Sequence, residues 1–136
     1  YTIRNALEML TLPAIIKNVT EEDIRSLTEK LRQMDEALKE DSIEKLSPLA
    51  RAFHTQVIRL SGQARILRVI ESQDEYITRF SAMSIAQENR RHEAQQEHYA
   101  IVDCLQNRDL ERLKTIMQKH IDKSKANCLA ALAKKK

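Results

Sequence analysis

VTEEDIRSLTEKLRQMDEAL, residues 19–38, decides the fold. Ile24, Leu27, Leu31, Met34 and Leu38 recur at alternating steps of three and four, the period of one face of an α-helix. Thr20 stands ahead of Glu21, Glu22 and Asp23, so a hydroxyl suited to free backbone amides is followed by acids where the helix dipole favours negative charge. Such a helix has one dry face and needs apolar partners. The remaining chain offers them in the same form. It has one Gly, two Pro and no Trp in 136 residues, so turns are few and regular elements long. The predicted fold is all-α, an antiparallel bundle of about six to seven helices, with residues 1–136 forming a single domain.

Working outward from that helix, the first helix is predicted over 2–18, with Ile3, Leu7, Leu10, Ala14 and Ile15 inward and Pro13 kinking or splitting it. Downstream, a helix starts near Ser42. Ser47-Pro48 resembles an N-cap followed by proline at the first helical position, a point where the helix can restart. Ser61-Gly62 ends it, glycine supplying a left-handed residue. A long helix is expected over 64–86, with Ile66, Ile70, Ile77 and Phe80 inward. Two more follow over 89–105 and 109–132, joined by QNRD.

Composition narrows the function classes. The formal net charge is only +3, and the lysine tail 134–136 reads as a solvated end. No basic helix interleaved with aromatics offers a DNA-reading surface. No apolar run reaches membrane-span length, and the N-terminus has no signal-peptide pattern. Cys104 and Cys128 lie far apart in no metal or redox spacing, which reads as free thiols in a reducing cytoplasm. The chain opens at Tyr1 almost directly into a helix, as a piece of something longer would.

The histidines carry the chemistry. LARAFHTQVIRLSG, residues 49–62, has an apolar stripe of Leu49, Phe53, Val57 and Leu60, and His54 sits beside it. Positions on a helix advance by about 100° per residue. His98 therefore shares a face with Ala94, Ile101, Val102 and Leu105, and His120 with Leu113, Met117, Ile121 and Ser124. His92, among Arg90, Arg91 and Glu93, turns to water. Three inward imidazoles have two readings. Either each is a core histidine with its own hydrogen bonds, or they share one divalent metal, for which neutral imidazole is a common ligand.

The segments AFH (52–54), SGQ (61–63), EH (97–98), NRD (107–109) and MQKH (117–120), after IRNALE (3–8) and VTEEDIRSL (19–27), resemble the effector-binding C-terminal (FCD) domain of FadR-type regulators, in the GntR family of bacterial transcription factors. The likeness spans almost the whole chain. It implies an antiparallel helical bundle that binds a small metabolite, often a carboxylate, and a winged-helix DNA-binding domain that this chain lacks. It also implies a divalent metal held by one Asp and three His, the histidines falling on His54, His98 and His120. The aspartate position, four residues before the first histidine, is Ala50 here. The implied zinc or nickel ion would thus have three neutral ligands and weaker binding. Gln63 replaces the usual Asn after Ser-Gly and is a poorer helix cap.

Further candidates for ligand binding are Arg51, one turn before His54, and Tyr76 with Arg79, one turn apart on the fourth helix. An arginine beside a metal can clamp a carboxylate, and a surface ion pair is the alternative for each. Arg4 and Glu8 read as a helix-surface pair. Glu97 points away from His98, where only a supporting role toward a histidine is open to it.

The expected function is the ligand-sensing and dimerisation domain of a transcription regulator. It would take a carboxylate effector, act as a homodimer, and reach operator DNA only through the missing domain. A helical interaction module with buried histidines is the alternative. A metalloenzyme is disfavoured, since no HExxH motif or nucleophile constellation is present, so the chain is expected not to be an enzyme.

Overall fold

The computed structural model describes residues 2–73, 79, 83 and 85–134, and the side chains of these other than 2–4, 131 and 134. Among them are six helices and no strand: α1 Thr2–Asn18, α2 Glu21–Lys39, α3 Ile43–Arg59, α4 Ala64–Ser72, α5 Glu88–Asn107 and α6 Leu110–Lys134.

Helix α2 forms as its sequence dictates. Asp23 N donates to Thr20 Oγ1 at 3.1 Å and Thr20 N donates back to Asp23 Oδ2 at 2.9 Å, a closed capping box. Its inner stripe of Leu27, Leu31 and Met34 is completely buried. Helix α2 packs between α3 and α5, α5 packs on α6, and α6 returns to α1, which lies against α3 and α4. The ring closes around Leu12, Ile15, Leu31, Phe53, Ile101 and Leu113.

Three expectations need correction. Pro13 and Pro48 both lie inside continuous helices, and α3 runs unbroken from its Ser42 cap, where the hydroxyl accepts from Lys45 N. Neither proline interrupts its element, because packing along both helices outweighs one missing amide. In α1 the buried face is Glu8, Thr11, Leu12 and Ile15, while Leu10 is exposed. Glu8 is therefore buried rather than on the surface, and Thr11 satisfies its hydroxyl by donating to Glu8 O at 2.6 Å. The helix expected over 64–86 ends at Ser72, with Gln73 as its cap. The inward positions assigned to Ile77 and Phe80 lie outside the described residues.

Two junctions set the helix ends that frame the site. Gly62 has φ +68 after α3, the left-handed position its sequence implied. Asn18 Nδ2 donates to Leu60 O and Ser61 O, tying the end of α1 to the end of α3. Gln63 caps α4 without a side-chain hydrogen bond, as expected of glutamine in place of asparagine. Between α5 and α6, Arg108 holds the left-handed position with φ +53, and its guanidinium donates to Ile16 O and Val19 O. That clip fixes the start of α6, and so the position of His120 along it.

Candidate metal centre

His54 on α3, His98 on α5 and His120 on α6 meet at one point. Their ring centroids form a triangle with three 5.0 Å sides. His54 Nε2 lies 3.2 Å from His98 Nε2 and 3.2 Å from His120 Nε2. Phe53, completely buried, closes the inner side, with its ring 5.0 Å from that of His98. His98 and His120 are buried and His54 is half-buried, so the cluster reaches toward the surface through α3. His92 is exposed, as periodicity required.

The outer ring nitrogens fix which tautomers are present. Gln95 Nε2 donates to Leu31 O and Asp35 Oδ1, which turns its carbonyl oxygen toward His98 Nδ1 at 3.1 Å. His120 Nδ1 lies 2.5 Å from Glu97 Oε1. Burial raises the Glu97 pKa, but hydrogen bonds from His120 and Arg90 outweigh it and bring the carboxyl down to about 2. An ionised carboxylate requires a donor, so His120 carries its proton on Nδ1, and His98 does likewise toward Gln95. In the neutral form of each ring, Nε2 then faces the centre as a lone pair. Burial foremost, and then the neighbouring His54 and His120, hold the His98 imidazole well below its usual pKa, so it stays neutral.

These donors fit a divalent metal. A dry core of hydrogen-bonded histidines would leave lone pairs of His98 and His120 competing for one Nε2 proton of His54. One ion would satisfy all three nitrogens. Zinc–nitrogen bonds of 2.0–2.1 Å at tetrahedral angles separate ligand nitrogens by about 3.3–3.4 Å. The observed 3.2 Å separations lie close to that. Orientation of ligand histidines by a carboxylate and an amide on their far nitrogens is the support that metal sites use.

Arg90 anchors that support. Its side chain is 1% exposed. Nη1 donates to Glu93 Oε1 at 2.9 Å and Glu97 Oε2 at 3.0 Å, and Nη2 to Glu97 Oε1 at 2.8 Å, Ser124 Oγ at 2.9 Å and His120 O at 3.2 Å. The guanidinium thus joins α5 to α6 beside His120. Sequence reading had placed Arg90 and Arg91 with the exposed His92, yet both arginines are buried. Arg91 donates to Ile85 O, Ala86 O and Asp41 Oδ1, holding residues 85–86 against the turn before α3. Glu97 does not touch His98 but reaches across to α6, so its supporting role belongs to His120.

A cavity of about 40 Å³ opens onto the histidines, lined among the described residues by Ser47, Ala50, Arg51, Ile85, Ala94 and Ser124 besides the three rings. Arg51 is thus brought to the site. Arg79 is exposed and is not among the described residues lining this cavity, and Tyr76 lies outside the described residues.

The family model for the FCD domain matches residues 1–123. The chain belongs to the FCD domain family. This is the helical C-terminal domain type of FadR-like GntR regulators that the sequence resembled. Among solved structures, E. coli McbR/YncC is similar to this FCD domain in fold, with a TM-score of 0.84 at 17% identity over 95% of this chain. The chain spans 65% of the length of that protein. No curated protein matches it. Among the described residues, no helix is long and apolar enough to cross a membrane.

Proposed function

We propose that this FCD domain is a single effector-sensing and dimerising unit of a cytoplasmic GntR-type regulator, not an enzyme. In this reading a divalent ion, zinc or nickel, is held by His54, His98 and His120. A small carboxylate effector binds in the adjoining cavity, whose lining includes the cation Arg51. Arg79 and Tyr76, the other ligand-binding candidates, belong to the segment after α4 and are the weaker part of that assignment. Operator DNA is bound by a winged-helix domain elsewhere in the parent protein. The observation that carries the reading is the meeting of three Nε2 atoms whose partner nitrogens are tied to Gln95 and Glu97.

When bound, the metal supplies a Lewis-acidic anchor for a carboxylate. The protein's own residues do the remainder. Gln95, Glu97 and Arg90 hold the rings in register, Phe53 excludes water from the inner side, and Arg51 draws anions to the opening. Regulation is then a population shift: an effector that prefers one arrangement of α3, α5 and α6 changes how two copies present their DNA-binding domains.

Thermal unfolding with zinc, nickel and a panel of small carboxylates tests the reading. A ligand at a hundredfold excess over its Kd stabilises the fold by about 2.7 kcal/mol. The expected result is a rise in Tm with metal, a further rise with a subset of carboxylates, and neither in the His54→Ala/His98→Ala/His120→Ala variant. A Tm unmoved by any metal favours a bundle with structural histidines instead.

A further inference from the structure

His98 has a support that begins on a helix carrying no histidine. Gln95 and His98 lie one turn apart on α5, and Leu31 and Asp35 lie one turn apart on α2. Gln95 is buried and spans the two helices. Its Nε2 donates to Leu31 O at 3.0 Å and to Asp35 Oδ1 at 2.9 Å, and its Oε1 lies 3.1 Å from His98 Nδ1. The half-buried Asp35 carboxylate is engaged at both oxygens, since the Tyr99 hydroxyl donates to Oδ2. Tyr99 is 42% exposed, so a continuous run of hydrogen bonds leads from the surface through α2 to the buried His98 ring.

The carboxamide in the middle has two orientations, and its surroundings accept one. Each of its two amide protons has its own acceptor on α2. Reversed, Gln95 would set its carbonyl oxygen against Leu31 O and Asp35 Oδ1, three acceptors facing one another with no proton between them. It would also offer an N–H to His98 Nδ1 and drive the ring proton to Nε2, which points at the cluster centre 3.2 Å from His54 Nε2. That alternative is a hydrogen-bonded core in which His98 has no lone pair to give. Leu31 O also serves the backbone ladder of α2, whatever side chain stands there. The side chain that selects the orientation is therefore Asp35.

We propose that Asp35 is a positioning residue for His98: it locks the Gln95 carboxamide and so selects the ring tautomer that can take a metal. This makes α2 a working part of a site whose three histidines lie on α3, α5 and α6. The readiness of His98 then depends on α2 staying seated on α5. A shift between these helices that parts Asp35 from Gln95 releases the amide and withdraws one ligand. Tyr99 holds the outer oxygen of the lock, at the surface where α2 and α5 meet. The proposal rests on the metal reading given above, and goes beyond it in naming what prepares one ligand and which helix contact controls it.

The test is the imidazole nitrogen spectrum of the metal-free full chain, labelled with 15N-histidine, at about pH 8. It reports which nitrogen of each ring carries the proton, and the His98 signals are assigned by their absence from His98→Gln. Zinc affinity is then measured by competition with a chromophoric chelator. The unmodified chain is expected to show His98 protonated on Nδ1. Asp35→Leu, which removes both acceptor oxygens, is expected to move a measurable share of His98 to the Nε2 form. It should also weaken zinc binding about tenfold, the low end of the loss for a partner of a ligand histidine. Asp35→Asn keeps an oxygen for Gln95 and can turn its amide to the Tyr99 hydroxyl, so it is expected to restore both readings. Asp35→Ala, a better helix former, gives the same comparison should leucine prevent folding. A contact that serves only helix packing would leave the tautomer unchanged in every variant. His98 protonated on Nε2 in the unmodified chain, or held on Nδ1 as firmly without Asp35 as with it, overturns the lock. Failure of the unmodified chain to take up zinc overturns the metal reading instead, while the metal-free spectra still decide the lock.

Discussion

Glu97→Gln separates a supported metal site from three histidines that merely meet. The side chain is 13% exposed and bonds His120 and Arg90. Its carboxyl is brought from an ordinary 4.5 down to about 2, which corresponds to about 3 kcal/mol of preference for the ionised form. Glutamine keeps an oxygen for His120 Nδ1 but loses the charge facing Arg90, which is left buried with one fewer anion. Unfolding of the metal-free variant in urea should therefore show a loss of roughly 2–3 kcal/mol, near the upper end for a hydrogen bond to a charged group. Zinc affinity should fall by about 10–100-fold, the usual effect of removing a partner of a ligand histidine. Glu93→Gln is the control. That carboxylate also meets Arg90 and Lys123 but is 45% exposed and touches no histidine, so its effect should stay below about 1 kcal/mol with zinc affinity unchanged. A Glu97→Gln protein as stable as its parent, binding zinc equally well, would refute the view that this network sets the His120 tautomer.

Acid titration should expose the buried imidazole. The folded pKa of His98 lies well below its ordinary 6.5, so the unfolded chain binds that proton first. Its contribution to stability is complete above pH 6.5 and is lost as pH falls below it toward the folded value, before Glu97 makes its own loss between 4.5 and about 2. Urea midpoints of metal-free protein between pH 7.5 and 5 should decline, and the decline should be shallower in His98→Gln; identical slopes would contradict the assignment. Gly62→Ala should destabilise by about 1 kcal/mol in the same assay, because φ is +68 there while an added Cβ meets Asn18 Nδ2 only at 3.7 Å. A neutral result would show that this turn relaxes freely.

Much of this was legible from side-chain periodicity. The stripe of α2, the inward turn of His98 and His120, and the outward turn of His92 followed from helical spacing, because apolar neighbours marked each face. Where polar residues are buried, the same arithmetic failed. In α1 the core face contains Glu8 and Thr11 beside the expected Ile15, so the spacing of apolar residues turned Leu10 inward although it is exposed. In α5 the charges of Arg90 and Arg91 pointed to water, although Arg90, Ala94, Glu97 and Ile101 share a face at steps of four, three and four. That spacing was the available signal for the Arg90–Glu97 pair. What spacing cannot provide is the partner on another helix. Glu97 looked idle because its histidine is His120, 23 residues away and on α6. Ala50 was informative in both settings, first as a departure from the family pattern and then as the methyl lining the cavity beside His54.

Cobalt(II) titration followed by visible absorption bears most directly on whether the three imidazoles form one metal site. The account predicts saturation at one equivalent per chain, d–d bands typical of a nitrogen-ligated, low-coordinate ion, displacement by zinc, and loss of the signal in each of His54→Ala, His98→Ala and His120→Ala. Titration that never saturates, or bands that survive all three substitutions, would contradict it.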